Sequence, residues 1–358
     1  MLLCFLYDFD PQLKLSNYCQ LINNNIENIL PSTSNTIHTI CSLRTRGRQQ
    51  FSLCVSSAPV EEIESFNLEE LLYKTWTIFG VSTLFNFHQD EVHLKQYAKR
   101  LREEVANNLS QEDVTYDAEF CVMKDITQRP SPLDPPPIKI EVYSENSNNQ
   151  TNSKKCIYKG VFLSWRTTKN KLTAFNSLRL PLLLCRGTPS AIRTVHNVLS
   201  RMFDCMIIAL PAHEDDLIWL VPIIITPADK EEQTKHTDEI CMEYKIPELE
   251  NTDTITIKFL VSDLIKILTV IVKDQSDEAN VEIAFNLEHI EKFREVLYSQ
   301  MLELAGLQLG LCTLHKIILP TVTIMENRMK VMNADTMNRV LLYLNEKALD
   351  TFHTLNLE

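Results

Sequence analysis

The residues with the clearest potential for catalysis are carboxylates in the region 214–245. An acidic run occupies positions 214–216, and Asp229, Glu243 and Lys245 follow it. Metal-dependent nucleases use carboxylates to hold a divalent ion, and a lysine can steady the attacking water. This part of the chain is acidic throughout, however, so the same residues are typical of a solvated surface. We interpret them as surface and keep a divergent metal-dependent nucleic-acid enzyme as an alternative.

The other common catalytic motifs are missing from the sequence. It contains no Gly-x-Gly-x-x-Gly, no phosphate-binding loop ending in Gly-Lys-Ser/Thr and no Gly-x-Ser-x-Gly elbow. There is no His-Glu-x-x-His, and His88 and His93 are five residues apart, on different faces of a helix. We therefore predict no catalytic residues, no metal site and no cofactor.

Composition predicts a folded protein of a reducing compartment. The chain is 44% hydrophobic and 23% charged, as in ordinary globular proteins. Its ten cysteines include no Cys-x-x-Cys pair and read as free thiols. The apolar run 304–314 is about half the roughly 20 residues that a membrane span requires. Because Asp8 and Asp10 interrupt an N-terminus without a basic leader, we expect a cytosolic or nuclear protein.

The charges are strongly segregated along the chain, although the net charge is -12. Residues 146–203 contain no Asp or Glu and ten Lys or Arg, whereas residues 204–253 contain thirteen acids and three lysines. Such segregation predicts one positive face suited to phosphates and one negative face suited to a basic partner. The candidate nucleic-acid contacts are Lys154, Lys155, Lys159, Arg166, Lys169, Lys171, Arg186, Arg193 and Arg201.

Hydrophobic periodicity predicts the elements that position these residues. Helical spacing occurs over 90–109, from Thr188 as N-cap through Met202, over 261–272, over 287–304, and from Asp335 as N-cap through Ala348, followed by an extended segment 351–357. Runs rich in β-branched and aromatic residues predict strands at 37–43, 51–55, 118–123, 138–143, 156–165, 217–225 and 254–259. Since strands come in runs between single helices, we predict an α+β fold with large, mostly antiparallel sheets flanked by a few amphipathic helices.

Several short motifs also occur in a characteristic order. They are Leu-Leu-Tyr-Lys-Thr-Trp-Thr at 71–77, Leu-Phe-Asn-Phe at 84–87, Thr-Gln-Arg at 127–129, Lys-Gly-Val-Phe at 159–162, Leu-Pro-Leu-Leu-Leu at 180–184, Phe-Asp-Cys at 203–205, Leu-Ile-Trp at 217–219 and Leu-Leu-Tyr-Leu at 341–344. In this order, and with the closing segment 352–357, they resemble the centromere protein L family, and the resemblance covers roughly residues 66–358.

The resemblance implies a non-enzymatic subunit of the inner kinetochore in the nucleus, at the centromere. It implies a heterodimer with centromere protein N, formed by sheet pairing through the C-terminal half. It further implies contacts with centromere protein C and other subunits of the constitutive centromere-associated network, and a positively charged groove for centromeric nucleosomal DNA. The remaining alternative is a generic scaffold without DNA contact, in which the basic stretch binds an acidic partner protein.

These arguments predict a division of the chain and a partner surface. We divide it into a divergent segment 1–65, an α+β part 66–226 with the basic surface, and an α+β dimerisation part 240–358. The partner contacts are expected on strand-like segments with an exposed edge. The candidates are Leu314, Lys316, Ile318, Val322, Ile324, Phe352, Thr354, Leu355 and Leu357.

Overall fold

Runs of β-branched residues form most of the strands, and residues with helical spacing form the helices. The computed structural model describes residues 68–109, 113–123, 134–146, 154–165, 176–226, 238–247, 253–273 and 285–355. The strands of this part are β1 (Thr75–Val81), β2 (Leu84–Phe85), β3 (Val114–Val122), β4 (Ile138–Asn146), β5 (Lys155–Leu163), β6 (Ser177–Leu178), β7 (Leu182–Gly187), β8 (Ile207–Ala209), β9 (Glu239–Lys245), β10 (Thr254–Leu260), β11 (Thr313–Leu319), β12 (Val322–Met325) and β13 (Arg328–Val331). The helices are α1 (Glu91–Leu109), α2 (Pro189–Phe203), α3 (Glu214–Ile225), α4 (Val261–Lys273), α5 (Leu287–Ala305) and α6 (Ala334–Thr354).

Eleven of these strands form one antiparallel sheet. Its order is β10-β9-β11-β12-β13-β1-β7-β5-β4-β3, and β8 pairs with the second half of β1. β2 and β6 form a separate two-stranded sheet. In the described structure β10 and β3 are the two ends of this strand order, and β8 also has a single neighbour, β1. This confirms the predicted α+β class with a large antiparallel sheet.

The helices cover opposite faces of the two halves of this sheet. Phe79 and Gly80 are neighbours on β1 and so point to opposite faces. The ring of Phe79 lies 4.5 Å from the ring of His196 on α2. A Cβ placed on Gly80 would lie 3.1 Å from the ring of Phe352 on α6. Hence α2 packs on one face and α6 on the other. Helix α6 also contacts β7 of the N-terminal half, and the C-terminal half has no described helix on the side of α2.

The N-terminal core lies between α1, α2 and strands β3, β4, β5 and β7. Ile138, Ile140 and Val142 alternate along β4 toward the two helices and are fully buried. Helix α1 buries the stripe that contains Leu101 and Val105, as its spacing predicts. Alternation leaves the charged residues of these strands, such as Lys139 and Glu141, on the opposite face.

The C-terminal half buries the opposite face of the sheet under α3, α4, α5 and α6. Its other face is the open sheet face, which we define by Glu243, Lys316, Ile318, Thr323 and Lys330. These residues are joined by direct cross-strand pairing in β9, β11, β12 and β13. They are half-buried rather than covered. This surface lies on the same side of the sheet as α2.

Most of the predicted elements are confirmed. Strands occupy the predicted segments at 118–123, 138–143, 156–165 and 254–259, although β3 begins four residues earlier and β4 ends three residues later than predicted. The predicted helices over 90–109, 261–272 and 287–304, and the one that begins after Thr188, are α1, α4, α5 and α2. The predicted strands at 37–43 and 51–55 lie outside the described residues.

The predicted strand at 217–225 is wrong, because this segment belongs to helix α3. Every residue from Asp216 to Ile225 is buried, so neither a helical nor a strand period is visible in the sequence. The acidic residues that precede the apolar run occupy the first helical turn, where the helix dipole favours negative charge. Pro222 lies inside the helix, and the surrounding packing outweighs its lost hydrogen bond.

The predictions for the last helix are wrong at both ends. Asn333, not Asp335, is the N-cap, and its side chain accepts a hydrogen bond from the backbone N–H of Thr336 at 3.1 Å. The helix continues through Thr354, so the segment from 351 is not extended. The hydroxyls of Thr351 and Thr354 donate to backbone carbonyls four residues earlier, which makes these β-branched residues compatible with the helix.

The division of the chain at 66–226 and 240–358 stays a prediction, and residues 1–65 lie outside the described part. One sheet runs through both predicted parts, since β1 pairs with β13 on one edge and with β7 on the other. Helix α6 also contacts β1, β7 and β13. The described residues of the two parts therefore share a sheet and a helix.

Candidate nucleic-acid and partner interfaces

Four of the predicted phosphate contacts lie at one end of the sheet, where β5 begins and β7 ends. We call Lys154, Lys155, Arg186 and Arg193 the basic rim. Tyr158 of β5 pairs with Gly187 of β7, which brings the start of one strand beside the end of the other. All four side chains of the basic rim are exposed. The structure thus brings together residues that are up to 39 positions apart in the sequence.

Local sequence fixes the turn that carries Arg186 and Arg193. A Cβ on Gly187 would lie 2.4 Å from the carbonyl oxygen of Ile157, so only glycine fits between β7 and α2. Thr188 then caps α2 by accepting a hydrogen bond from the N–H of Ala191 at 3.3 Å. Pro189 starts the helix with a suitable φ and no N–H to satisfy. The positive end of the α2 dipole adds to the charge of the rim.

Lys159 is not available for phosphate contact. It is buried, and its Nζ lies 2.5 Å from Oε1 of Glu70 and 3.0 Å from Oε1 of Glu141. Burial opposes ionisation of both carboxyl groups, but the hydrogen bond and charge of Lys159 outweigh it, so the pKa of each is lowered. Lys159 therefore holds the turn around Glu70 against the sheet.

Ion pairs partly neutralise two of the predicted phosphate contacts, one of which belongs to the basic rim. Lys154 pairs with Asp117 at 3.1 Å, and Arg201 pairs with Glu104 of α1 at 3.2 Å. Arg201 is eight residues beyond Arg193 on α2, about 12 Å further along the helix. The other three candidates, Arg166, Lys169 and Lys171, lie outside the described residues.

Sequence reasoning missed basic residues on other elements near the rim and the open sheet face. Arg100 of α1 lines a shallow depression between α1 and α2 together with Arg201. Arg328 and Lys330 project from β13 toward the open sheet face. Arg100 could have been found by placing α1 on a helical wheel, where it lies off the apolar stripe. The strands around Arg328 gave no such signal, because their partners are set by the fold.

The carboxylates considered for metal binding are each engaged separately. Tyr298 donates to Glu214 at 2.5 Å, and Arg294 pairs with Asp215 at 2.9 Å. Asp216 is buried and accepts from Tyr343 at 2.8 Å and from Lys347 at 2.5 Å. Asp229 lies outside the described residues. Within the described ranges, no three His, Cys, Asp or Glu side chains are grouped closely enough to hold a metal ion.

The predicted partner residues occupy several different environments. Leu314, Val322, Ile324 and Phe352 are buried in the core. Lys316 and Ile318 lie on the open sheet face, and Thr354 and Leu355 are exposed at the end of α6. Leu357 lies outside the described residues.

The expected exposed edge is wrong for these strands. β11 lies between β9 and β12, and β12 lies between β11 and β13, so neither can accept another strand. The edge in this half is β10, which pairs with β9 through seven residue pairs. Thr256 and Lys258 of β10 are exposed, whereas Ile257 is buried toward the helices. Sequence reasoning predicted β10 as a strand but not as an edge strand, because the order of strands in a sheet is a long-range property.

Residues 70–349 match the family described as centromere protein L, and they span most of the 358-residue chain. The chain belongs to the centromere protein L family. No individual curated protein matches it. The resemblance inferred from the motif order is thereby confirmed.

Family membership fixes the general role. Centromere protein L is a structural component of the inner kinetochore, acting at the centromere in chromosome segregation, and its family is not a known enzyme family. The matched residues include the basic rim, the open sheet face and β10, and end before Thr354 and Leu355. In the described ranges, no helix is long and apolar enough to cross a membrane.

Proposed function

We propose that this centromere protein L acts as an interaction subunit that pairs with centromere protein N. In this proposal the C-terminal half adds the partner's strand to β10, and the basic rim faces centromeric nucleosomal DNA. Centromere protein C and other subunits of the centromere-associated network contact the assembled pair. The chain performs no chemistry and acts by positioning its partners.

The outer edge of β10, which no described strand covers, carries the proposal. An edge strand leaves every second backbone N–H and C=O without a sheet partner, so a strand of another protein can bind there through main-chain hydrogen bonds. Thr254, Thr256 and Lys258 alternate on one face of β10, and Ile255 and Ile257 on the other. Their side chains would select the partner. β10 also lies in the half that the family resemblance assigns to dimerisation.

Proline substitutions test the assignment, because proline removes one N–H. The N–H groups of the neighbouring residues Thr256 and Ile257 point to opposite edges of β10. One of these two N–H groups bonds to β9, and the other points to the outer edge of β10. Of Thr256→Pro and Ile257→Pro, we expect the one that removes the outer N–H to leave the thermal unfolding temperature unchanged. The same variant should lose the one-to-one complex with coexpressed centromere protein N, measured by size exclusion with light scattering. A proline at Glu119 or Ala118 on β3, the other edge, serves as the matched control.

A folded β10 variant that still copurifies with centromere protein N would contradict the edge assignment. Loss of the complex with the β3 variants alone would move the interface to the opposite edge of the sheet. A wild-type chain that stays a lone monomer beside centromere protein N would contradict the heterodimer itself.

Exposed charge supports the DNA contact. Lys155, Arg186 and Arg193 are exposed at one end of the sheet. Arg193 lies on α2, whereas Arg186 follows the core residue Cys185 on β7 and points to the opposite face. Exposed cations at this end of the sheet are suited to phosphates. The sequence contains no helix-turn-helix, zinc-finger or aromatic RNA-binding motif, so we expect binding to be independent of sequence. We expect each of these residues to release about 0.9 counterion from duplex DNA when it binds a phosphate.

Salt titration of the purified heterodimer on duplex DNA measures this contribution. Lys155→Ala, Arg186→Ala and Arg193→Ala should each flatten the dependence of log affinity on log salt by about 0.9. Lys266→Ala on α4, far from the rim in the sheet order, should leave the slope unchanged. Unchanged slopes for all three rim variants would favour the scaffold without DNA contact.

A further inference from the structure

The end of α5 and the turn that follows it expose several leucines. Leu302 is 51% exposed, Leu304 41% and Leu311 64%. Leu302 and Leu304 are two residues apart on α5 and therefore point to opposite sides of the helix. We call Leu302 and Leu311 the leucine cluster. Exposed leucines are common singly, but a contiguous apolar patch marks an interaction site in many soluble proteins.

The backbone brings the members of the cluster together. Gly306 ends α5 in the left-handed conformation, and its N–H donates to the carbonyl of Leu302 at 3.0 Å. The chain then turns back along the helix, so that a Cβ on Gly310 would lie 4.0 Å from the ring of Tyr298. Leu311 therefore follows a residue that lies beside Tyr298, and Tyr298 and Leu302 are neighbours on one side of α5 at a spacing of four residues.

An acidic stripe leads along α5 to the cluster. Glu288, Glu291 and Glu295 are exposed at spacings of three and four residues, and Leu302 follows seven residues after Glu295. This spacing places all four on one outward face of the helix. Arg294 does not neutralise the stripe directly, because it is directed to Asp215 at 2.9 Å.

The surface is held rigidly before any partner binds. Tyr298 is bonded to Glu214 at the start of α3. Leu309 is buried and fixes the returning turn to the core. A preformed surface loses little conformational entropy on association, which favours its use as a docking site.

We propose that the leucine cluster and the acidic stripe together dock a basic amphipathic helix of another protein. Its apolar side chains would pack on the cluster, and Lys or Arg two to four turns away would face Glu288, Glu291 and Glu295, which lie about 10 to 21 Å from Leu302 along α5. The basic occupant follows from the charge of the stripe. This surface is distinct from β10 and the basic rim, and the inference does not depend on the proposed function.

A designed peptide tests the inference with the full-length chain. The probe is a fluorescein-labelled helical peptide with leucines in its first two turns and lysines two to four turns beyond, and the reference peptide carries glutamates at the lysine positions. Anisotropy should show binding of the lysine peptide and at least tenfold weaker binding of the glutamate peptide. Equal or absent binding of the two would overturn the proposal.

Matched variants locate the site. Leu302→Ser and Leu311→Ser should each weaken lysine-peptide binding about tenfold, as expected for anchor residues. Leu355→Ser, at a leucine 49% exposed at the end of α6, should not. The double variant Glu291→Gln with Glu295→Gln should reduce the salt dependence of binding, whereas Glu103→Gln on α1 should leave it unchanged.

Two results would contradict the site. One is unaltered peptide affinity in the leucine and glutamate variants, which would place binding elsewhere. The other is a wild-type homodimer in light scattering that Leu311→Ser converts to a monomer, which would identify a second copy of the chain as the occupant. Circular dichroism of each variant checks that it is folded, and the exposure of the substituted residues leads us to expect unchanged spectra.

Discussion

Single residues in this protein acquire roles that their types alone do not reveal. Lys159 and Lys155 are both lysines of β5 within the acid-free stretch, yet Lys155 is exposed and Lys159 is buried between Glu70 and Glu141. Charge segregation predicted a basic surface but could not separate cations that face solvent from cations that hold the fold together.

Replacing Lys159 should affect stability, whereas replacing Lys155 should not. Lys159→Met leaves two carboxylates without their main partner, and we expect a loss of roughly 2 kcal/mol, below the 3 to 5 kcal/mol of a fully buried pair because Glu70 is partly exposed. Lys155→Met should change the free energy of unfolding by less than about 0.5 kcal/mol. Urea denaturation of both variants measures the difference, and equal stabilities would contradict the buried ion pair.

His196 should give the protein a distinct acid sensitivity. The ring is 9% exposed between Phe79 and Tyr158, and burial lowers its pKa to about 4 from an ordinary 6.5. The unfolded chain therefore binds a proton between pH 6.5 and 4 that the folded chain does not. Stability should fall by about 1.4 kcal/mol per pH unit as the pH drops through this window.

Urea denaturation at several pH values checks this, with His196→Leu as the control that lacks the titrating group. Glu70 and Glu141 affect the stability at lower pH. Their pKa values are lowered in the folded protein, so the stability that they contribute is lost only as the pH falls below their ordinary pKa of 4.5. An identical slope between pH 6 and 5 in the wild type and His196→Leu would exclude His196 as the source.

At the level of elements, packing decides what periodicity leaves ambiguous. Helix α3 is buried on all sides, so its apolar run resembles a buried strand in the sequence. Tertiary contacts hold the first turn of this helix in place, because Asp216 accepts hydrogen bonds from Tyr343 and Lys347 of α6. The sequence alone does not show that this segment is a helix, because neither its burial nor the hydrogen bonds of Asp216 produce a helical pattern of apolar residues.

The start of α6 provides a test of capping. Asn333→Ala should cost about 1 kcal/mol, because the side chain accepts the N–H of Thr336 that no backbone group can replace. Asp335→Asn should cost only a few tenths, since Asp335 makes an ion pair with Arg339 within the same helix. Urea denaturation measures the free energy of unfolding of both variants. A larger loss of stability for Asp335→Asn than for Asn333→Ala would contradict the assignment of Asn333 as the N-cap.

For the whole molecule, the central fact is a single antiparallel sheet with helices on opposite faces of its two halves. β1 is the strand common to both halves, and the backbone N–H of Trp165 after β5 donates to Asn345 of α6 at 3.0 Å. The arrangement leaves two strand edges and the open sheet face available in the described structure, which is why we propose an interaction subunit.

Sharing one sheet should make the two halves unfold together. We expect coincident urea transitions from tryptophan fluorescence, which reports the buried Trp76, Trp165 and Trp219, and from far-ultraviolet circular dichroism. Met329→Ala, at the β13–β1 pair, should shift both transitions equally because it removes a buried side chain at the shared strand. Separate transitions would support two independently folding parts instead.

The sequence by itself determined most elements, the α+β class and the family. Periodicity, caps such as Thr188 and the order of short motifs depend only on residues near one another in the chain, so they can be recognised in the sequence alone. The strand order, the burial of Lys159, the helical state of α3 and the choice of β10 as an edge were decided only by the tertiary structure. Each depends on which distant segments meet, because burial and strand pairing are set by contacts between residues far apart in the chain.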